Sequence, residues 1–313
     1  MSGEIDVINS LFEQIDTDPH QLDDPETAHL IINANHVVGM QAVPGLKVDA
    51  KELADGVDIK LRLEPGTVVK KPVHLCFGMI PKTGVQRIIM DVDIGAGAKI
   101  TLQAHCVFPT AIDVEHIMDA RIKIGDGAEY SYFERHVHSP DGGIRVIPKA
   151  SVTVGRDAYF KTEFELIKGR VGLIDIDYDT VCLAGGVVDM TARISGRGDD
   201  IIKIRESGHL KGERARGVLT SKIAVRDRAR AEIYSKLIAD AAYARGHVDC
   251  KEIVQDEGQA NAVPIVEVRH PKAHITHEAA IGSVDNRQLE TLMSRGLSED
   301  DAVEIIINGL LSR

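Results

Sequence analysis

Two groups of residues in this chain have types and spacings that could do chemistry. The segment GHVDCKEIVQDEGQANAVPIVEVRHPKAHITHEAAIG, residues 246–282, holds Cys250 together with His247, His270, His274, His277 and Glu278. Thiolate and imidazole are ligands for zinc, copper and iron–sulfur clusters, and a carboxylate serves where a labile iron site is wanted. On a strand His270 and His274 would share a face and His277 would point the other way, so only part of the set converges locally. The second group is Glu134, His136 and His138 in FERHVH, which alternation on a strand places on one face. Three ligands on a face resemble a cupin metal site or a facial triad, and a solvated strand face is the competing reading. A cupin would need a further histidine on a distant strand, and none is identifiable.

Other chemistries are excluded by what is missing. There is no GxxxxGK[ST], so the chain binds no nucleotide through a P-loop, and no GxSxG, HExxH or EF-hand loop occurs. The four cysteines, at 76, 106, 182 and 250, form no CxxC pair. Neither a zinc knuckle nor a disulfide scaffold is indicated, and a reducing cytoplasm is expected. Cys76, Cys106 and Cys182 read as buried small hydrophobes.

The elements that must position these groups are mostly strands. The runs VDIGAGAKI (92–100), IKIGDGAEY (122–130) and VTVGRDAYF (152–160) superpose, with apolar pairs followed by Gly95, Gly125 and Gly155. The period is thirty residues. A fourth copy around VCLAGGVVDM (181–190) keeps Gly185 in step and shifts the apolar pair by one, and IAVRDRARAEI (223–233) echoes the third copy without its glycine. Alternation predicts half-buried strands, small Gly/Asp/Ala clusters predict tight turns, and a fixed period predicts stacking of equivalent units. The expected fold is mainly β, a right-handed parallel β-helix, with an antiparallel sandwich or cupin barrel as the competitor. Residues 4–15 predict an amphipathic N-terminal helix within a mixed segment, 1–65, ahead of a β-helix core, 66–272, and a helical segment, 273–313. In that last segment Asp285 and Ser298 are the expected helix caps, Ser298 with Asp301 forms a capping box, and Gly296 is a stop. The second of these helices is apolar over more than one stripe, so something must cover it.

Composition narrows the partners. The 313 residues carry 37 Lys plus Arg against 48 Asp plus Glu, a net charge of −11, and 4% aromatic residues with no Trp. That balance argues against nucleic acid and against anionic membranes. The acidic start lacks an apolar signal region, and no stretch approaches the ~18 apolar residues of a membrane span, so a soluble cytoplasmic protein is expected.

HVDCKEI (247–253), the Ala-Val-Pro of NAVPIVEVRHP (261–271), THEAAIG (276–282) and LETLMSRGLSEDDAVEIIINGLL (289–311), in that order, resemble the SufB/SufD family, the scaffold component of the SUF system for iron–sulfur cluster assembly. The length is similar to that of compact archaeal-type members. The resemblance implies a β-helix core, pairing of two subunits through it, and a transient iron–sulfur cluster. It places Cys250 at the family's cysteine for sulfur acceptance and nascent cluster formation, and His277 and Glu278 at the His-Glu pair proposed for the cluster site. It also implies an ABC-type SufC ATPase docked on the C-terminal helices, where Leu297, Ala302, Ile306 and Leu310 are the expected contacts, and acceptor apo-proteins as further partners. A SufB-like cysteine joined to a SufB-like HEA motif fits a homodimer, with a SufB/SufD-type heterodimer as the other arrangement. Three functions follow as alternatives: a non-enzymatic scaffold, a metal-dependent cupin or solenoid enzyme using Glu134, His136 and His138, and a SufD-like adaptor without a cluster.

Overall fold

The computed structural model describes residue 22 and residues 24–312, so the helix predicted over 4–15 lies outside the described residues. The chain winds as a β-solenoid of about eight turns. Each coil contributes one strand to each of two sheets. One sheet runs β19 (His274–Gly282), β17 (Arg245–Val254), β15 (Arg216–Val225), β13 (Val187–Gly196), β11 (Tyr159–Lys168), β9 (Glu129–His138), β7 (Lys99–Phe108), β5 (Val73–Gly78), β1 (His29–Asn33) and β2 (His36–Gln41), and the other β18 (Gln259–Val268), β16 (Arg230–Ala239), β14 (Ile201–Leu210), β12 (Leu173–Cys182), β10 (Ile144–Val154), β8 (Asp113–Ile124), β6 (Thr83–Ile94), β4 (Gly56–Leu63) and β3 (Leu46–Glu52). Neighbouring strands are parallel except in two hairpins at the N-terminal end, β1 (His29–Asn33) with β2 (His36–Gln41) and β3 (Leu46–Glu52) with β4 (Gly56–Leu63). The antiparallel alternative therefore applies only to that end.

Alternation builds the walls. In β8 (Asp113–Ile124) the side chains of Val114, His116, Met118, Ala120, Ile122 and Ile124 are buried in the lumen, and intervening residues such as Asp113, Asp119, Arg121 and Lys123 are exposed. Buried Val, Ile, Leu and Ala from both sheets form one continuous core along the axis. Outside, opposite charges about one coil apart pair across adjacent strands, as in Lys99–Glu129 (2.6 Å), Arg62–Asp91 (2.9 Å) and Arg135–Glu165 (2.7 Å). Each exposed pair of this kind adds at most ~1 kcal/mol, but all of them favour the same register.

The repeat glycines have two separate jobs. Gly127 has φ +66°, a left-handed turn position, while a Cβ on Gly125 would sit 2.7 Å from the backbone nitrogen of Ala96 in the coil before. Stacked turns thus touch backbone to backbone. The fourth copy corrects the thirty-residue alignment: Cys182 pairs with Val154, 28 residues earlier, and Leu183 occupies the place of Gly155. Gly185, with φ +68°, does the work of Gly127 instead. IAVRDRARAEI joins the first sheet to the second, whereas VTVGRDAYF joins the second to the first, so that echo is half a coil out of phase.

Solenoid strands extend past 66–272 on both sides: β4 already pairs in parallel with β6 (Thr83–Ile94), and β19 spans His274–Gly282. The helical texture begins only at α1 (Asn286–Met293), followed by α2 (Glu299–Leu311). The Asp285 carboxylate accepts from the Gln288 N–H at 2.8 Å, and the Ser298 hydroxyl accepts from the Asp301 N–H at 3.2 Å, so both predicted caps form. Val303, Ile307 and Leu311 pack with Val284 on the outside of the first sheet, against Ala224 and the flanking Ile167 and Ile253. The Glu304 carboxylate bridges Arg197 and Arg226 beside them. Among the described residues no helix is long and apolar enough to cross a membrane.

Candidate functional site

Cys250 lies on β17 (Arg245–Val254), the last strand but one of its sheet, between inward-facing Val248 and Glu252. Its thiol is fully buried in the lumen. Burial pushes that thiol above its ordinary pKa, and the hydroxyls of Ser221 and Ser235 pull against the shift. Glu252 accepts from the Ser221 hydroxyl at 3.0 Å, while its second carboxylate oxygen and one oxygen of Asp249 have no hydrogen-bond partner. Burial raises the Glu252 carboxyl to about 7.

Strand β19 stacks on β17 in the register Val248–His277, Asp249–Glu278 and Cys250–Ala279. His277 therefore lies in the lumen-side row, diagonal to Cys250, whereas Glu278 lies in the outer row beside Asp249. Both residues are exposed, because β19 ends its sheet and β18 (Gln259–Val268) ends the other. Within one chain the structure gathers Cys250 and His277 on one side and leaves Glu278 on the other. His270 is not on a strand; its Nδ1 accepts from the Lys272 N–H in the turn before β19. His274 lies in the outer row, opposite to His277, and the ring of His247 meets the Thr276 hydroxyl at 2.7 Å.

The four docking residues separate. Ala302 is buried on α2, Leu297 is half-buried between the helices, and Ile306 and Leu310 are half-buried along an open groove that Ile253, Leu292 and Ile305 also line.

Glu134, His136 and His138 do share one face of β9 (Glu129–His138), and that face is the dry lumen, not solvent. His136 stacks directly on Cys106 of β7 (Lys99–Phe108). The donor atoms of Cys106, Glu134 and His136 all lie within 4.8 Å of one another. The Cys106 thiol donates to Glu134 Oε1 at 3.5 Å, Glu134 Oε1 is 2.8 Å from His136 Nε2, and His136 Nδ1 is 3.1 Å from His138 Nε2. From the opposite sheet His116 places its Nε2 3.9 Å from the Cys106 sulfur. Burial pushes the imidazoles of His116 and His136 down to about 3 and raises the Glu134 carboxyl and the Cys106 thiol, so burial disfavours the charged form of all four groups. The reading of Cys106 as a small hydrophobe is right about burial and wrong about surroundings. The thirty-residue period, which sets 106 under 136, was the available signal; His116 had none, because it comes from the other sheet.

Comparison with known proteins agrees with the fold. The family profile for the SUF system FeS cluster assembly, SufBD core domain, matches residues 82–310. An iron–sulfur cluster assembly SufBD family protein of Methanocaldococcus jannaschii is 36% identical over 94% of this chain and 93% of its own. One from Pyrococcus horikoshii is 32% identical over 91% and 86%, and one from Archaeoglobus fulgidus is 27% identical over 83% and 70%. A stacked two-sheet solenoid, an inward cysteine at its open end and a profile match over most of the length converge: the chain belongs to the SufBD family of the SUF iron–sulfur cluster assembly system.

Proposed function

We propose that this protein is a non-catalytic scaffold that holds a nascent iron–sulfur cluster between two paired chains, with Cys250 as the sulfur acceptor and ligand and His277 and Glu278 completing the site. The observation that carries the reading is the placement of Cys250 one strand inside an open solenoid end whose last two strands each leave their outer edge without a partner strand. Edge strands with free N–H and C=O groups invite pairing with another chain. Ile265, Val268 and Ile281 are exposed along these two strands, and a second chain joined there covers them. Such pairing also supplies what one chain lacks, since Glu278 points away from its own Cys250 and is available to ligands from a partner. A homodimer is the simpler arrangement, with a SufB/SufD-type heterodimer as the alternative.

The thiol is protonated in the closed chain, because burial disfavours the thiolate that iron requires. Cluster assembly thus calls for a movement that opens the lumen end. A SufC-like ABC ATPase seated in the α1–α2 groove is suited to drive it, since α2 packs on the same sheet next to Ile253 of the Cys250 strand. ATP hydrolysis belongs to that partner, this chain binds no nucleotide, and the finished cluster passes to acceptor apo-proteins in the cytoplasm.

The test is anaerobic reconstitution with ferrous iron and sulfide, followed by absorption spectra of the desalted wild type and Cys250→Ser, with size exclusion to follow the dimer. Oxygen-sensitive charge-transfer absorption that vanishes in the variant while the dimer persists is the expected result. No absorption in a folded wild-type dimer overturns the assignment and leaves a SufD-like adaptor, and absorption unchanged by Cys250→Ser overturns Cys250 as sulfur acceptor and ligand.

A further inference from the structure

The buried group around Cys106 is remote in sequence from the cluster site and unused by the reading above. We propose that Cys106, Glu134, His136 and His116 form a resident binding site for one divalent transition-metal ion of the zinc type, enclosed in the solenoid lumen.

The hydrogen bonds behind the two imidazoles determine which nitrogens are free. The Gln86 amide donates both its N–H groups to the carbonyls of Ala34 and Gly78, at 2.8 and 2.9 Å, so its oxygen faces His116. His116 Nδ1, 3.0 Å from that oxygen, must be the donor. Its Nε2 is left as a lone pair aimed at the Cys106 sulfur. On the other side His138 Nδ1 lies 2.9 Å from the Arg170 carbonyl, which can only accept. His138 Nε2 therefore accepts from His136 Nδ1, and His136 Nε2 is a second lone pair, aimed at Glu134. Two imidazoles are back-bonded through groups anchored on main-chain carbonyls, one presenting its other nitrogen to the thiol and the other to the carboxyl bonded to that thiol, which is the supporting shell that metal-ligating histidines use.

The spacing also suits an ion. Four ligands at ~2.0–2.3 Å in a tetrahedron stand about 3.3–3.6 Å apart. The sulfur-to-carboxylate distance is 3.5 Å and the sulfur-to-His116 distance 3.9 Å, while the 2.8 Å Glu134–His136 contact is that of a shared proton which an ion replaces. Uptake of a divalent cation displaces two protons to solvent, one from the Cys106 thiol and one from the Glu134–His136 contact. The ion's two positive charges are then balanced by one thiolate and one carboxylate, so the filled site is neutral in its dry setting. Phe108 and Phe164, with ring centroids 5.1 and 4.7 Å from His116 and His136, wall it from water. One thiolate, one carboxylate and two imidazoles are a mixed set that zinc accepts and magnesium and calcium do not.

The test uses the full chain carrying Cys250→Ser, so that the cluster site adds no thiolate signal. It is expressed with added cobalt or zinc and washed with a chelator. One ion per chain is expected to resist the wash, and the cobalt form is expected to show thiolate-to-cobalt charge-transfer absorption with the intense visible bands of a tetrahedral ion. Cys106→Ser removes the charge-transfer band, and His116→Gln lowers metal retention at least tenfold. A folded Cys250→Ser chain without stoichiometric metal overturns the proposal, and so does metal retained unchanged in Cys106→Ser. Should Cys106→Ser fail to fold, the metal content of the parent and of His116→Gln still decides. Failure here leaves the scaffold reading intact, because no residue is shared.

Discussion

Glu206 on β14 (Ile201–Leu210) gives the sharpest test of how this lumen treats charge. Its carboxyl is buried, one of its oxygens has no hydrogen-bond partner, and burial alone raises its pKa from 4.5 to about 7. In the unfolded chain the group loses its proton near 4.5, whereas in the folded chain it keeps it to about 7. The folded state thus binds more protons across that window, so stability is fully present at low pH and falls as pH rises from about 4.5 through 7. Integrating the linkage between pH 5 and pH 8 gives a loss of ~2.5 kcal/mol from this residue. Glu206→Gln removes that loss. Any cost of fitting the amide is independent of pH and cancels when the two pH values are compared. Urea unfolding of both proteins at pH 5 and 8, followed by circular dichroism, reads the difference as a midpoint that falls on the order of 0.5 M further for the wild type. Equal falls would refute the reasoning, and would mean that water or a counter-charge reaches Glu206 inside the solenoid.

Three further outcomes follow from the packing. Leu310→Asp places a charge in the α1–α2 groove and is expected to weaken binding of a SufC-type ATPase at least tenfold in a pull-down with folding intact; Ala302→Asp, at a fully buried position of α2, should instead cost ~3 kcal/mol or more of stability. Gly125→Ala drives a methyl to 2.7 Å from the Ala96 backbone nitrogen, and thermal unfolding should show a loss of ~2 kcal/mol or more, where an alanine at an open strand position is neutral.

Much of the architecture was legible in the chain because a solenoid repeats its local chemistry. Strict alternation from Val92 to Ile94 and from Ile122 to Ile124 implies strands with one buried face, and the recurrence of Gly95, Gly125 and Gly155 implies turns stacked one above another. The legibility ends where a coil changes length. With two residues fewer between Val154 and Cys182, Gly185 matches a glycine in number while doing another glycine's work. The segment after 273 looked helical as a whole, but its first nine residues, His274–Gly282, complete a sheet before α1 begins.

By itself the sequence determined the class of structure, the helix caps at Asp285 and Ser298, and the resemblance carried by Cys250, His277 and Glu278, all of which depend on residues near one another or separated by one period. Only the tertiary structure decided which side chains meet across the lumen. Glu134, His136 and His138 could be placed on one face by alternation, but whether that face was wet or dry depended on the opposite sheet, which turns out to bring His116 and Gln86 within reach. Likewise His277 and Glu278 are adjacent in the chain yet divide between inside and outside, because a strand turns successive side chains to opposite faces and only the fold defines which face encloses Cys250.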